Sequence, residues 1–536
     1  MESISKLRKD EDFDRSFKQI GGLTALSRVL GFLRDICLAQ FIGAGAAADA
    51  FLVAFKLPNL FRRLTADGAM TNTFLPVFAH VRTTQGRPSA LILAAEVQII
   101  LLLALSMIVV LAEIFMPSVI AFLAPGFVDD ATLFDSTVAL ARITIPYLPM
   151  ISLVALWAAV TNAHNRFFGG AAAPVILNIC LIGGILTTPI FGHVTSQLGV
   201  EMSIFHLVWP LCLAVLLAGV AQMMLMQRML ARIDAKLSWH RPRLTDNGRK
   251  MWRGFLPAAL GAGGLQLNFL IDMILASLVS VGAISWLYYS DRIVQLPLGI
   301  IGIALGTALL PTLSKLESED DKTEVANRIG HSLQIALFFS IPATLAILLT
   351  ADILIAGLFE YGAFSQIDSQ QSAYALMAYG TGLVAFVVAK VFQPAFFASN
   401  RGGLVLKISL LSVGINIVGS VSLMTYLGHI GLALATAIAS WVGVCVMAVL
   451  LMREGRLTKS AIGQALPILL CSFMMSVVLF GTKWALAGLI LALPFGALLM
   501  LMVTVLAGLV SYFGVAYMLG VIPPFLFRLK RTARKG

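Results

Sequence analysis

About fourteen runs of roughly 20 or more apolar residues, parted by short polar gaps, follow one another along this chain. A helix needs about 20 residues to cross a hydrocarbon core of about 30 Å, and inside lipid only helices and closed barrels can satisfy every backbone polar group. Runs this long are helical spans. Hydrophobic residues make up 59% of the chain and charged residues 12%, against roughly 25% charged in soluble globular proteins. The surplus apolar surface must face lipid, which excludes a soluble domain or a string of them. The reading is an all-α polytopic membrane protein of about fourteen transmembrane helices, over 19–43, 47–79, 89–112, 137–161, 171–190, 202–227, 254–279, 283–313, 329–350, 372–397, 404–426, 429–452, 461–481 and 484–520.

Residues 1–18 are densely charged and hold no apolar stretch, so no cleavable signal peptide is expected before the first span and the amino terminus is expected in the cytoplasm. The even-numbered gaps should then be basic. They carry Arg82 and Arg87; Arg166; a cluster from Arg228 to Arg253; Lys315, Lys322 and Arg328; Arg401; and Arg453, Arg456 and Lys459, with five more basic residues in the tail at 521–536. The opposite gaps hold Asp129, Asp130 and Asp135, or Asp352, Glu360 and Asp368. Most of the net charge of +11 is therefore a positive-inside topology signal and not a nucleic-acid footprint, with both termini expected in the cytoplasm.

The halves repeat. TFLPVFA at 73–79 returns as ALLPTLS at 308–314, and Asn165-Arg166 returns as Asn400-Arg401, each 235 residues on. Six spans per copy, an even number, give both copies the same orientation, related by an axis along the membrane normal. The expected organisation is a cytoplasmic segment 1–18, an N-lobe 19–228, a basic loop 229–253, a C-lobe 254–452, a carboxy-terminal helix pair 461–520 outside the repeat, and a basic tail 521–536. Transporters of this build place cargo between the two halves.

Several spans carry charges where a charge costs roughly 2.5–3.5 kcal/mol. In the first, Thr24, Ser27, Arg28, Gly31, Arg34, Asp35 and Leu38 fall within an arc of about 120°. The second repeats the pattern with Asp49, Lys56, Asn59, Arg62, Arg63 and Asp67, and Pro58 breaks its hydrogen-bond ladder. The seventh pairs Asn268 with Asp272, and the eighth clusters Ser285, Tyr288, Asp291, Arg292 and Gln295. A lone Arg near a helix end can snorkel to a head group, and Asp291 and Arg292 can neutralise each other. Basic groups nevertheless outnumber acids in these stripes, so a cavity they line attracts an anion, and the guanidinium fork suits a phosphate or diphosphate.

Other motifs point nowhere. Cys37, Cys180, Cys212, Cys445 and Cys471 each sit in an apolar run without a C-x-x-C pair and read as small apolar filler. Gly43-Ala44-Gly45-Ala46-Ala47-Ala48 imitates a dinucleotide fingerprint, but it joins two membrane helices and reads as a tight turn. The seven histidines are scattered, and no H-E-x-x-H, G-x-S-x-G or P-loop occurs. Neither a catalytic site, a metal nor a cofactor is expected.

The strings SRVLGFLRD (Ser27 to Asp35), GAGAAADAFLVAFKLPNLFRRL (Gly43 to Leu64) and YYSDRIVQLPLGIIGIALGTALLPTLSK (Tyr288 to Lys315) closely resemble the MurJ/MviN family, the lipid II flippases of peptidoglycan synthesis, within the multidrug/oligosaccharidyl-lipid/polysaccharide exporter superfamily. The resemblance runs through nearly the whole chain. It implies fourteen helices, two six-helix lobes around a cationic cavity, and a last helix pair that lines a groove for the undecaprenyl chain. It implies lipid II as cargo, and protein partners among the cell-wall synthesis and division machinery. By motif, essential cavity arginines fall on Arg28, Arg34, Arg62 and Arg292, with Ser27, Asp35 and Asp49 nearby and Arg63 and Asp291 beside them. The chain departs at Gln295 and Asp67, where relatives usually carry Glu. Two other readings stand beside this one: a flippase for another polyprenyl-diphosphate saccharide, which the same arginines would serve, and a cation-coupled multidrug antiporter, whose cavity should be acidic.

Single cysteines at Asp246 and Asp130, in a background without the native five, should label from opposite faces of intact cells with an impermeant reagent. Labelling from the same face would contradict the topology.

Overall fold

The computed structural model describes residues 2–62, 73–197, 204–235, 237, 245–264, 267–319, 321–458, 463, 465–490, 492–493 and 495–523, with backbone alone over 2–18, 20, 61, 194–197, 204, 256–264, 267–269 and 303. The described residues are helical almost throughout and contain no strand. Contacts divide the chain into two units, Met1–Gly282 and Ala283–Gly536.

The first unit contains α1 (Glu2–Ile42), α2 (Ala46–Arg62), α3 (Leu75–Thr84), α4 (Gly86–Ile114), α5 (Met116–Leu123), α6 (Ala131–Thr144), α7 (Tyr147–Asn162), α8 (Phe168–Gln197), α9 (Trp209–Arg232), α10 (Asp246–Gly264) and α11 (Leu267–Val279). Within it α1 packs on α8, α8 and α7 on α9, α2 on α6, and α4 on α7. The second contains α12 (Ala283–Pro297), α13 (Ile303–Ser318), α14 (Lys322–Phe359), α15 (Gln366–Gly380), α16 (Leu383–Ala398), α17 (Gly402–Leu427), α18 (His429–Arg453), α19 (Ala465–Ile490) and α20 (Gly496–Met518). There α14 is the hub, touching α15, α16, α19 and α20, while α17 and α18 form a close hairpin. That closeness needs glycine: a Cβ at Gly431 would lie 2.6 Å from the Leu423 carbonyl.

Among the described residues ten helices are long and apolar enough to cross a membrane, or eleven if Gln366–Gly380 and Leu383–Ala398, bent by 41°, form one span. They coincide with eleven of the expected runs. The other three, 19–43, 47–79 and 254–279, are helical where described, and their described residues do not qualify on length and apolarity. The expected break beside Lys483 is misplaced. Helix α19 continues through it to Ile490, because the Lys483 ammonium is met at 2.7 Å by Asp352 of α14 and also donates to the Leu349 carbonyl. The turn comes later, and α20 begins after Phe495, whose φ is 57°.

Proline disrupts several helices, and neighbouring side chains repair two of the gaps. Pro58 has no N–H, so the Ala54 carbonyl in α2 loses its donor one turn on. The Thr144 hydroxyl of α6 supplies one at 3.0 Å. In α14, Pro342 deprives the Phe338 carbonyl in the same way, and the Tyr512 hydroxyl of α20 donates to it. Around that bond Phe338, Ile341, Ile468, Cys471, Met475, Leu479, Tyr512 and Ala516 form a buried cluster that fastens the last helix pair to α14.

The repeated Asn-Arg pairs share a conformation. Asn165 and Asn400 both adopt left-handed backbone, with φ of 58° and 57°. The following amide then reaches back five residues in each turn, Arg166 to the Thr161 carbonyl at 3.0 Å and Arg401 to the Phe396 carbonyl at 2.8 Å. Asparagine tolerates left-handed backbone better than most residues, so it ends both helices.

Tyr512→Phe should destabilise the protein by about 1 kcal/mol or more, by orphaning a buried carbonyl. Thr504→Val, which removes only a back-bond to Met500 in its own helix, should cost less. Melting in detergent, followed by fluorescence, compares them, and equal shifts would contradict the repair.

Candidate functional site

The polar stripe of α1 is internally engaged. The Arg34 guanidinium donates from Nε and Nη2 to Asp35 Oδ1 at 3.0 and 2.7 Å, and Asp35 is only 1% exposed. Arg34 Nη1 donates to Asn178 Oδ1 of α8 at 3.1 Å, and Asn178 Nδ2 donates to the Ser27 carbonyl at 3.0 Å. A buried ion pair repays its desolvation only when further hydrogen bonds satisfy its remaining groups, and Asn178 supplies one. Ser27 is half-buried and Arg28 exposed.

On α2, Asp49 is fully buried. Its carboxylate accepts from the Gly282 amide at 2.6 Å, and it lies in the first helical turn, where the helix dipole favours negative charge. Gly282 has φ of 93°, a left-handed value that suits glycine, and so presents its N–H to the carboxylate. Lys56 and Arg62 are half-buried, the latter in the last turn of α2. Arg63, Asp67 and the side chain of Asn268 lie outside the described residues; Asp272 is half-buried on α11.

In the second unit, Ser285 is buried on α12, and Asp291 and Arg292 are half-buried. Arg292 Nη2 donates to the Tyr288 hydroxyl at 3.0 Å, and the guanidinium carbon lies 4.7 Å from that ring's centroid, within cation–π range. The Gln295 amide donates to Asp291. A glutamate at position 295 would set two carboxylates one turn apart, where they repel. Glutamine is thus compatible with Asp291.

Of the expected residues, Ser27, Arg34 and Asp35 gather around Asn178, Asp49 sits at the Gly282 turn, and Tyr288, Asp291, Arg292 and Gln295 lie along α12. Asn178 was missed. A single amide inside the apolar run 171–190 was its only signal. The same applies to Gln222, which joins the Tyr147 hydroxyl to the Ala173 carbonyl, and to Gln98, which accepts from the Trp157 indole at 2.7 Å. Asp368, read only as a loop charge, both caps α15 and accepts from the Trp286 indole at 2.8 Å. Among the described residues no group of three or more His, Cys, Asp or Glu is placed to hold a metal ion.

Residues 38–521 match the family described as "Lipid II flippase MurJ". The chain is 34% identical, over 97% of its length and 96% of the relative's, to the "Probable lipid II flippase MurJ" of Rhizobium meliloti (strain 1021). It is 32% identical, over 89% of each, to the "Lipid II flippase MurJ" of Burkholderia cenocepacia. Among solved structures it is similar to "Lipid II flippase MurJ, inward closed conformation", with a TM-score of 0.76 at 22% identity over 93% of this chain and 98% of that one. An inward-facing multidrug MATE transporter shares the fold at TM-score 0.62 and 16% identity, over 80% of this chain and 94% of that one. A match over most of the chain, with curated relatives above 30% identity along nearly their whole length, places it: the chain belongs to the lipid II flippase MurJ family.

Proposed function

We propose that this protein carries lipid II from the cytoplasmic to the outer leaflet of the inner membrane by alternating access, with the diphosphate held by Arg28, Arg34, Arg62 and Arg292. The observation that carries the site reading is the α1 arrangement: a guanidinium at membrane depth, fixed on one side by Asp35 and on the other by Asn178. Guanidinium groups held in this way suit a diphosphate, because their geometry is set before the anion arrives. Ser27, Asp35, Asp49, Arg63 and Asp291 complete the set, the acids as partners that limit the cost of basic groups at depth.

The architecture behind this reading is fourteen spans with both termini cytoplasmic. Eleven apolar helices among the described residues, counting the bent pair once, support this reading, in which the three polar segments are the remaining spans. The N-lobe is 19–228 and the C-lobe 254–452, joined by the basic loop 229–253, and the twin Asn165 and Asn400 turns support their common descent. The pair within 461–520 forms the groove for the lipid tail. Its exposed faces are strongly apolar, including Leu466, Phe473, Phe480, Leu506 and Val510. Partners among the cell-wall synthesis and division proteins belong to the same proposal.

The fold is also that of MATE multidrug transporters. Arginines in excess over carboxylates disfavour a cationic drug as cargo. A polyprenyl-diphosphate saccharide without the pentapeptide is the closer competitor, and vesicle translocation by the purified protein separates it from lipid II.

Replacing Arg28, Arg34, Arg62 or Arg292 by Lys keeps the charge and loses the fork. Lipid II translocation should fall about tenfold or more while membrane insertion persists. If all four Lys variants translocate at the unmodified rate, charge alone suffices and the diphosphate clamp is wrong. If all four Ala variants do so too, the arginines are structural.

A further inference from the structure

We propose that Asn178 of α8 is a positioning residue for the Arg34 guanidinium, setting the bearing at which Arg34 meets the cargo diphosphate. The proposal rests on the reading of Arg34 as a diphosphate contact.

Asn178 is 7% exposed and uses both ends of its amide. Its Oδ1 accepts from Arg34 Nη1 at 3.1 Å, and its Nδ2 donates to the Ser27 carbonyl at 3.0 Å. These two partners fix the amide's sense. Turned over, its NH2 would face a guanidinium that only donates, and its oxygen would face a carbonyl that only accepts. The amide also seats beside α1 at a glycine: a Cβ built on Gly31 would lie 3.5 Å from Asn178 Nδ2. Backbone, amide and guanidinium thus form a chain that begins at Ser27, seven residues before Arg34 on the same helix.

Asp35 holds the opposite edge of the guanidinium through Nε and Nη2. Both of those bonds end on a single carboxylate oxygen, and a bond on Nη1 adds an anchor at a different point of the group. Asn178 supplies it without charge, so the α1 stripe keeps its net attraction for an anion, which a carboxylate at 178 would weaken. An aliphatic residue would fill the space and take from Nη1 the acceptor that Asn178 provides.

The test is a mutant cycle on the full-length purified protein, with lipid II affinity measured in detergent and translocation in vesicles, and melting temperature recorded for each variant. Asn178→Leu should weaken lipid II binding roughly tenfold, the scale of one charge-assisted hydrogen bond. In an Arg34→Ala background the same substitution should cost nothing further. Asn178→Ser, too short to reach both partners, should reproduce the pattern and serves if the Leu variant does not fold. An equal loss of affinity in both backgrounds would mean that Asn178 acts by packing, and would overturn the proposal. Full affinity in Asn178→Leu, with weakened binding in Arg34→Ala, would also overturn it but leave the role of Arg34 intact. Full affinity in Arg34→Ala would overturn both.

Discussion

Every backbone carbonyl within hydrocarbon must find a donor inside the protein, because lipid offers none. A regular helix meets this demand by itself, and proline defeats it. In this chain the gaps left by Pro58 and Pro342 are closed from other helices, by Thr144 and Tyr512. Each repair turns a local fault into a tertiary bond of fixed direction. Helix α2 is thereby tied to α6, and α14 to α20.

Charge obeys the same demand at higher cost. Asp49 is buried, yet a glycine amide and the start of its own helix answer it. Arg34 and Asp35 answer each other, with Asn178 beside them. On α12 the aromatic face and hydroxyl of Tyr288 meet Arg292, and an amide meets Asp291. These partners prefer particular geometries, so the polar groups of each segment are held by the protein's own contacts. Under the proposed function, guanidinium groups held in this way leave less ordering to be done when a diphosphate binds.

The sequence made the apolar spans and the ionisable stripes plain, because hydrophobic run length and the spacing of charges on a helix are both local. It did not reveal who meets whom. Thr144 lies 90 residues from Ala54, and Tyr512 lies 174 residues from Phe338. Neither hydroxyl differs in sequence from others that merely back-bond within their own helices. Asn178 was passed over for a related reason: one amide in an apolar run does not disclose that its partners lie about 150 residues earlier. The gap expected at 482–483 lies inside α19, and only the packing of α19 on α14 brings Asp352 to Lys483.

The reach from Phe338 to Tyr512 also bears on how the protein is made. Ribosomes add about 5–20 residues per second, so the 174 residues between them take on the order of 10–35 s to synthesise. Through that interval α14 resides in the bilayer with its proline gap unanswered by the helix that finally closes it. The second unit is therefore completed from its carboxy-terminal end, and a nascent chain stalled before Tyr512 holds an open hydrogen-bond acceptor at the centre of its hub.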